Sequence, residues 1–166
     1  MVRFIHKFNH WLGLIGASLT SLTLVGLVGL VLVEIIGRSF FNYSTMIADE
    51  YSGYLYLTAV FLGLAYGLNH QSHIRITIIT SRLSKEANRW VDIAIGLAAM
   101  TMMAVVIYYT WLLIEDTKSM EMVSEAVSQT PLYLTQIPML IGSILLWVAL
   151  LNFTLQRVAN ERIAND

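Results

Sequence analysis

The sequence predicts an all-α integral membrane protein with four transmembrane helices and with both chain ends on the cytoplasmic side. The first basis is a set of four long apolar segments, at about residues 12–36, 46–69, 90–114 and 131–155. A bilayer's hydrocarbon core is about 30 Å thick, so a spanning helix needs about 20 mainly apolar residues. Each segment reaches that length. Each is also continuously apolar rather than alternating, which favours helices over a β-barrel.

Composition is the second basis. Of the 166 residues, 57% are hydrophobic and 13% are charged, which is too apolar for a soluble domain of this size. We therefore expect a single transmembrane domain over residues 1–166. The net charge of −1 disfavours a nucleic-acid partner. Because the chain has no cysteine, disulfides, thiolate metal sites and cysteine nucleophiles are excluded.

The third basis is the distribution of basic residues, of which eight out of ten fall on one side of the spans. These eight belong to the N-terminal segment, the connection between the second and third spans, and the C-terminal tail: Arg3, Lys7, Arg75, Arg82, Lys85, Arg89, Arg157 and Arg162. The other two, Arg38 and Lys118, fall on the opposite side. The positive-inside rule then places both termini and the connection between the second and third spans in the cytoplasm. It places the other two connections, between the first and second spans and between the third and fourth, outside.

Two stretches beside the spans have the pattern of short interfacial amphipathic helices. Residues 1–11 carry an apolar side chain every three or four positions between basic ones, and residues 78–90 repeat the pattern. A solvated loop with ordinary positive-inside charge explains either stretch equally well. Both interpretations stay open.

The fourth span has a clear start signal and an internal proline. Thr130 is suited to cap a helix and Pro131 to occupy its first position, where the missing N–H costs nothing. Pro138 removes the hydrogen bond to the carbonyl of Leu134, so we expect a kink that Gln136 or a neighbouring helix compensates. The kink serves packing or acts as a hinge, and packing is the preferred interpretation.

Small residues at helical spacing indicate where the helices approach one another. In the second span they are Ala59, Gly63 and Gly67. Comparable stripes in the first and third spans contain Ala17, Ser21, Gly29, Ala94 and Ala98. We expect contacts within the bundle, with an intersubunit contact as the alternative.

Charged residues gather at the end of the first span and the start of the second. Glu34 and Arg38 are one helical turn apart, and Asp49 and Glu50 open the second span. A tie from Arg38 to Glu50 or Asp49 would join the two spans, whereas routine interface chemistry needs no such contact. Catalysis or cation binding by the acidic pair is disfavoured, because adjacent residues on a helix point in different directions.

Two histidines, His70 and His73, lie at the other end of the second span with i,i+3 spacing. That spacing suits a metal, but nothing else completes a ligand set, so we expect interface hydrogen bonding and no metal site. The middles of the spans hold no ionisable residue, and no nucleophile and base are grouped. The sequence therefore predicts an accessory or scaffolding membrane subunit and not an enzyme or a transporter acting alone.

The order of these residues resembles the small, DctQ-type membrane subunit of tripartite ATP-independent periplasmic (TRAP) transporters. The resemblance rests on Arg38, Asp49-Glu50, Gly63 and Gly67, and on the run Asn69-His70-x-x-His73-Ile74-x-Ile76, followed by Ser128 and Pro131. It covers nearly the whole chain. One departure is that Met46 or Ile47 replaces the tryptophan usual shortly before the acidic pair.

The resemblance implies a subunit of the bacterial inner membrane that braces a large elevator-type subunit. That partner would hold the sodium and substrate sites, so no cofactor is expected here, and a periplasmic binding protein would deliver an organic acid. Sialic acid is the favoured substrate and a C4-dicarboxylate the next. Arg38 and Glu50 would be structural ties and His73 an inner-face contact. The acidic outer connection between the third and fourth spans, with Glu115, Asp116, Glu121 and Glu125, would be where the delivery protein docks.

The alternative class is a haem-binding membrane anchor of a respiratory enzyme. Haem ligation would need histidines from facing helices within the membrane. All four histidines, His6, His10, His70 and His73, are expected at the cytoplasmic edge, which disfavours this class.

Overall fold

The computed structural model describes residues 2–69 and 84–164. The described chain forms four long helices: α1 (Val2–Phe41), α2 (Ala48–Asn69), α3 (Lys85–Ser119) and α4 (Leu132–Ala164). Each contains a stretch that is long and apolar enough to cross a membrane, which confirms the predicted all-helical class. These stretches are Gly13–Phe41, Ala48–Leu68, Glu86–Ser119 and Leu132–Gln156.

The N-terminal segment matches neither of the two open interpretations. Residues 2–11 are helical and form the beginning of α1, instead of a separate interfacial helix or a loop. At about 1.5 Å per residue, a helix of 40 residues is about twice as long as the hydrocarbon core is thick. Of the second candidate, residues 78–90, only the end is described, and it forms the start of α3. There Ser84 caps the helix by accepting a hydrogen bond from the N–H of Ala87 at 3.2 Å.

The helices are arranged in the order α1, α2, α4, α3, and α1 also touches α4 to a small extent. Gly16 lies against the carbonyl of Leu62, so α1 and α2 are in direct backbone contact. Gly142 of α4 lies against the backbone of Phe61, the residue of α2 that precedes Leu62. The two central helices therefore approach closely because a glycine removes the side chain at the contact.

The small residues only partly follow the expected stripes. Ala59 is buried, and its carbonyl accepts a hydrogen bond of 3.5 Å from the Thr20 hydroxyl of α1. A Cβ atom at Gly63 would lie 3.3 Å from the same threonine, so both residues lie against α1. Gly67 has open space where its Cβ atom would be. On α3 the expected Ala94 and Ala98 are exposed, and on α1 so are Ser21 and Gly29. The close approach of α3 to α4 uses Gly96 instead, which packs against Thr154.

Pro138 lies inside α4, and the helix is continuous through it. Two residues earlier, Gln136 Nε2 donates to Thr117 Oγ1 of α3 at 3.3 Å. The Gln136 amide therefore links the two helices.

Candidate functional site

The two short connections of the chain, residues 42–47 and 120–131, lie at the same end of the bundle, which we call the two-loop end. They meet because α2 and α4 run parallel: Tyr51 contacts Thr130 near the start of both helices, and Phe61 contacts Gly142 further along. Polar side chains that end α1 and begin α2 are thereby brought together with the loop that precedes α4.

The first loop begins with a sharp reversal of the chain. Asn42 adopts a left-handed conformation, with φ of 51°, which asparagine tolerates better than most residues. The N–H of Tyr43 then donates to the carbonyl of Gly37 at 3.1 Å. This turn directs the following residues back toward α1.

Glu34 is the centre of the hydrogen bonds that join α1 to the first loop. Its Oε1 accepts from Arg38 Nε and from Ser44 Oγ, the latter at 2.6 Å. Its Oε2 accepts from the N–H of Thr45 at 3.0 Å and from the hydroxyl of the same residue. The residue is 6% exposed.

Four donors on two carboxylate oxygens use the lone pairs that those oxygens present. A carboxylate saturated in this way has no position left for a metal ion or for a substrate proton. Burial of a charge is tolerated only when it is paired and hydrogen-bonded, as this one is. The arrangement of Glu34 is therefore that of a structural tie between α1 and the loop that leads to α2.

Arg38 uses its Nε for Glu34 and extends its outer nitrogens toward α2. The distance from Nη2 to Asp49 Oδ2 is 4.0 Å, which is the outer limit of an ion pair. The Asp49 side chain is 96% exposed, so this contact contributes little to stability. Arg38 thus lies near Asp49, as one of the two expected ties requires, but its main partner is in its own helix.

Glu50 joins α2 to the second loop rather than to Arg38. Its Oε1 accepts from the hydroxyl of Tyr54 at 2.7 Å, and its Oε2 accepts from the hydroxyl of Ser128. Ser128 also shares a hydrogen bond with Thr130 at 2.9 Å, and the Tyr51 hydroxyl reaches Thr130 at 3.0 Å. Together these side chains attach the first turn of α2 to the residues that precede α4.

The second loop has an ordered shape of its own. Val123 and Pro131 form an antiparallel β-bridge, and the N–H of Ser124 donates to the carbonyl of Thr130 at 2.9 Å. The N–H of Leu132 donates to the carbonyl of Met122 at 3.1 Å. Pro131 immediately precedes α4 instead of occupying its first position, a shift within the usual uncertainty of a helix end.

The sequence pairs Arg38 with Glu34, which the structure confirms, but sequence reasoning missed the hydroxyl partners of both glutamates. Ser44 and Thr45 carried a usable signal, since a Ser-Thr pair in a short loop after a buried acid supplies hydroxyl donors. Tyr51 and Tyr54 were not identified, because tyrosines at a span end are also typical interface anchors. Of the predicted residues, Arg38 lies near Asp49. Glu50 accepts a hydrogen bond from Ser128, which with Thr130 belongs to the short segment that ends at Pro131. His70 and His73 lie outside the described residues.

The described residues also give no support for a metal site. Within residues 2–69 and 84–164, no three His, Asp or Glu side chains are grouped as metal ligands would be. The acidic residues at the end of α3 and in the second loop are all exposed: Glu115, Asp116, Glu121 and Glu125. Docking of a delivery protein at these residues stays a prediction.

Comparison with known proteins identifies the family. Residues 27–160 match the family model described as the DctQ component of tripartite ATP-independent periplasmic transporters. No curated protein and no solved structure matches the chain. The matched range contains both glutamates and all their partners at the two-loop end. The family assignment also replaces the haem-binding anchor as an interpretation, since a DctQ subunit is a transporter component and not an enzyme. The chain belongs to the DctQ family and is the small membrane subunit of a TRAP transporter.

Proposed function

We propose that this subunit is the fixed scaffold for the large membrane subunit of a sodium-coupled TRAP transporter. The observation that carries the proposal is the pair of glutamate ties at the two-loop end. Glu34 attaches α1 to the first loop, and Glu50 attaches α2 to the second loop. Both carboxylates are used for holding helices together, which suits a part that stays still while another moves.

The shape of the bundle supports the same role. Because the described helices follow one another in the order α1, α2, α4, α3, the outer helices α1 and α3 keep wide apolar faces that the other described residues leave exposed. On α1, Leu22 and Val25 are each 69% exposed, and on α3 Met102 is 71% exposed. Faces of this kind are covered by lipid or by a second membrane protein. The large subunit of the transporter is the partner that we propose for part of this surface, in a stable complex.

Sodium and substrate belong to the large subunit in this proposal. The charged residues of the four spans lie toward their ends, as Glu34, Asp49, Asp92 and Glu115 do. Ion and substrate pathways normally need ionisable or unwound elements at mid-depth. The proposed substrate is an organic acid, with sialic acid to be tested first and a C4-dicarboxylate next. That choice rests on the sequence resemblance alone.

The orientation that we propose puts both termini in the cytoplasm of a bacterial cell and the two-loop end in the periplasm. Its support is the excess of basic residues on the terminal side of the spans. A periplasmic substrate-binding protein would then meet the two-loop end transiently. The exposed acidic residues of the second loop, such as Glu121 and Glu125, give the two-loop end a negatively charged surface for this contact.

Co-purification and reconstitution test the scaffold. The tagged chain is expressed with the genes beside its own, purified, and placed in liposomes with the large subunit and the binding protein. We expect a much larger polytopic protein to co-purify, and uptake of the organic acid to need an inward sodium gradient and both membrane subunits. Liposomes with only one membrane subunit are the controls. Uptake by this chain alone, or full uptake by the large subunit without it, would contradict the proposal.

A further inference from the structure

A cleft of about 190 Å³ opens at the two-loop end between the last turns of α1 and the first turn of α2. Its apolar part is formed by Val31, Ile35 and Ala48. Its polar part is formed by Arg38, Asp49 and Ser52, together with Glu34. The change from apolar to charged lining coincides with the end of the first apolar segment, near residue 36.

The charged rim consists of the Arg38 guanidinium, which Glu34 orients, and the exposed Asp49 carboxylate. Glu34 holds Arg38 by its Nε, so the remaining face of the guanidinium is oriented in the cleft. The Arg38 side chain is 54% exposed, and the nearest Asp49 carboxylate oxygen is 4.0 Å from Nη2. At that distance the ion pair between Arg38 and Asp49 contributes little to stability, so both groups can still bind a ligand.

The cleft has an apolar surface, and a cation and an anion lie beside each other at its rim. This combination complements a phospholipid whose headgroup carries both a negative and a positive charge. A guanidinium binds phosphate with paired N–H donors, and a carboxylate binds a primary ammonium through charge-assisted hydrogen bonds. The end of an apolar span is also the depth at which lipid headgroups lie. A phosphatidylethanolamine molecule carries acyl chains, phosphate and primary ammonium in that order from the membrane core outward. Phosphatidylglycerol has no cation for Asp49, and the trimethylammonium of phosphatidylcholine has no N–H to donate.

We propose that this cleft is a binding site for phosphatidylethanolamine. The phosphate lies on Arg38, the ammonium lies on Asp49, and the start of an acyl chain covers Val31 and Ile35. This site is separate from the scaffold role, because it concerns a lipid and not the large subunit.

Native mass spectrometry of the full chain in detergent tests the site. The chain is mixed with equal amounts of phosphatidylethanolamine, phosphatidylglycerol and phosphatidylcholine, and the ratio of bound species is measured. We expect phosphatidylethanolamine to be preferred. Asp49→Asn should lower its ratio to phosphatidylglycerol about twofold to fivefold, the range expected for one exposed ion pair. Asp49→Lys should reverse the preference, and Ser52→Phe, which fills the cleft, should lower binding of all three lipids.

Glu86→Gln is the matched control, because Glu86 is also an exposed acid in the first turn of a helix but lies on α3. Its lipid ratio should equal that of the wild type. Circular dichroism confirms that each variant is folded, and Asp49→Asn decides the outcome if Asp49→Lys does not fold. Equal binding of the three lipids, or an equal shift in Glu86→Gln, overturns the proposal. Loss of lipid selectivity when the large subunit is added, with Asp49→Asn reducing complex yield instead, would assign the cleft to that subunit.

Discussion

The N–H of Thr45 donates a hydrogen bond of 3.0 Å to Oε2 of Glu34, across eleven residues of chain. The bond joins the end of the first transmembrane helix to the loop that leads into the second. Because the same carboxylate also holds Arg38 and Ser44, the geometry of the α1–α2 connection depends on one side chain.

Replacing Glu34 with glutamine should therefore destabilise the bundle. The amide keeps one acceptor oxygen and places an NH2 group against donors, so at least one buried group loses its partner. We expect a decrease of about 1–3 kcal/mol in the free energy of unfolding. The measurement is an SDS titration of the detergent-solubilised chain, followed by tryptophan fluorescence. Glu115→Gln, at an exposed position of α3, is the control and should change the midpoint little. An equal effect of both substitutions would contradict the role assigned to Glu34.

A second prediction concerns the bond between Glu50 and Ser128. In a double-mutant cycle of Glu50→Gln and Ser128→Ala, we expect a coupling energy of about 1–2 kcal/mol, because the hydrogen bond involves a charged acceptor that is only partly buried. The readout is again the free energy of unfolding.

The control cycle combines Glu50→Gln with Ser119→Ala. Ser119 lies at the same end of the bundle but donates to the carbonyl of Asp116 in its own helix, at 2.9 Å. Its coupling to Glu50 should be close to zero. Additive effects of Glu50 and Ser128 would show that the tie between α2 and the second loop does not contribute to stability.

The number and location of the helices could be predicted from the sequence, but their ends differ by up to ten residues, as at the start of α1. The predicted span 46–69 became α2 (Ala48–Asn69), because an apolar run of that length has no other stable state in a membrane. The predicted span 90–114 became the longer α3 (Lys85–Ser119), since a helix continues through polar residues beyond the apolar run. Hydropathy marks where a helix crosses the membrane and does not mark where it stops.

The candidate site was predictable in its residues and not in its pairings. That Asp49 and Glu50 point apart follows from helix geometry, and the structure agrees, with Asp49 exposed and Glu50 at the second loop. Which loop Glu50 reaches depends on the parallel packing of α2 against α4. That packing is set by backbone contacts such as Gly142 against Phe61, which no periodicity in one segment encodes.

The same contact gives a third prediction, on glycine. A Cβ atom at Gly142 would lie 2.5 Å from the backbone carbonyl of Phe61, so Gly142→Ala should separate α2 from α4 at a cost of about 1–3 kcal/mol. Gly67→Ala is the matched control on α2, because its Cβ atom meets nothing within 4 Å. We expect that variant to unfold at the wild-type SDS concentration or slightly above it, as alanine favours helix. Equal stability of the two variants would mean that the α2–α4 approach is not close.

The fourth prediction concerns orientation in the membrane. Because the natural chain contains no cysteine, a single introduced cysteine reports its side of the membrane without background. Val127 in the second loop is 73% exposed. Asn165 follows α4 in the sequence, so we expect Val127→Cys and Asn165→Cys on opposite sides of the membrane. In intact spheroplasts, a membrane-impermeant maleimide should label Val127→Cys and should reach Asn165→Cys only after permeabilisation. The physical reason is that moving the eight basic residues of the terminal side across the membrane is opposed during insertion.

The unmodified chain, which cannot react, is the control. Labelling of Asn165→Cys in intact spheroplasts would place the termini outside, and the two-loop end, with its acidic residues, would then be on the wrong side to meet a periplasmic protein.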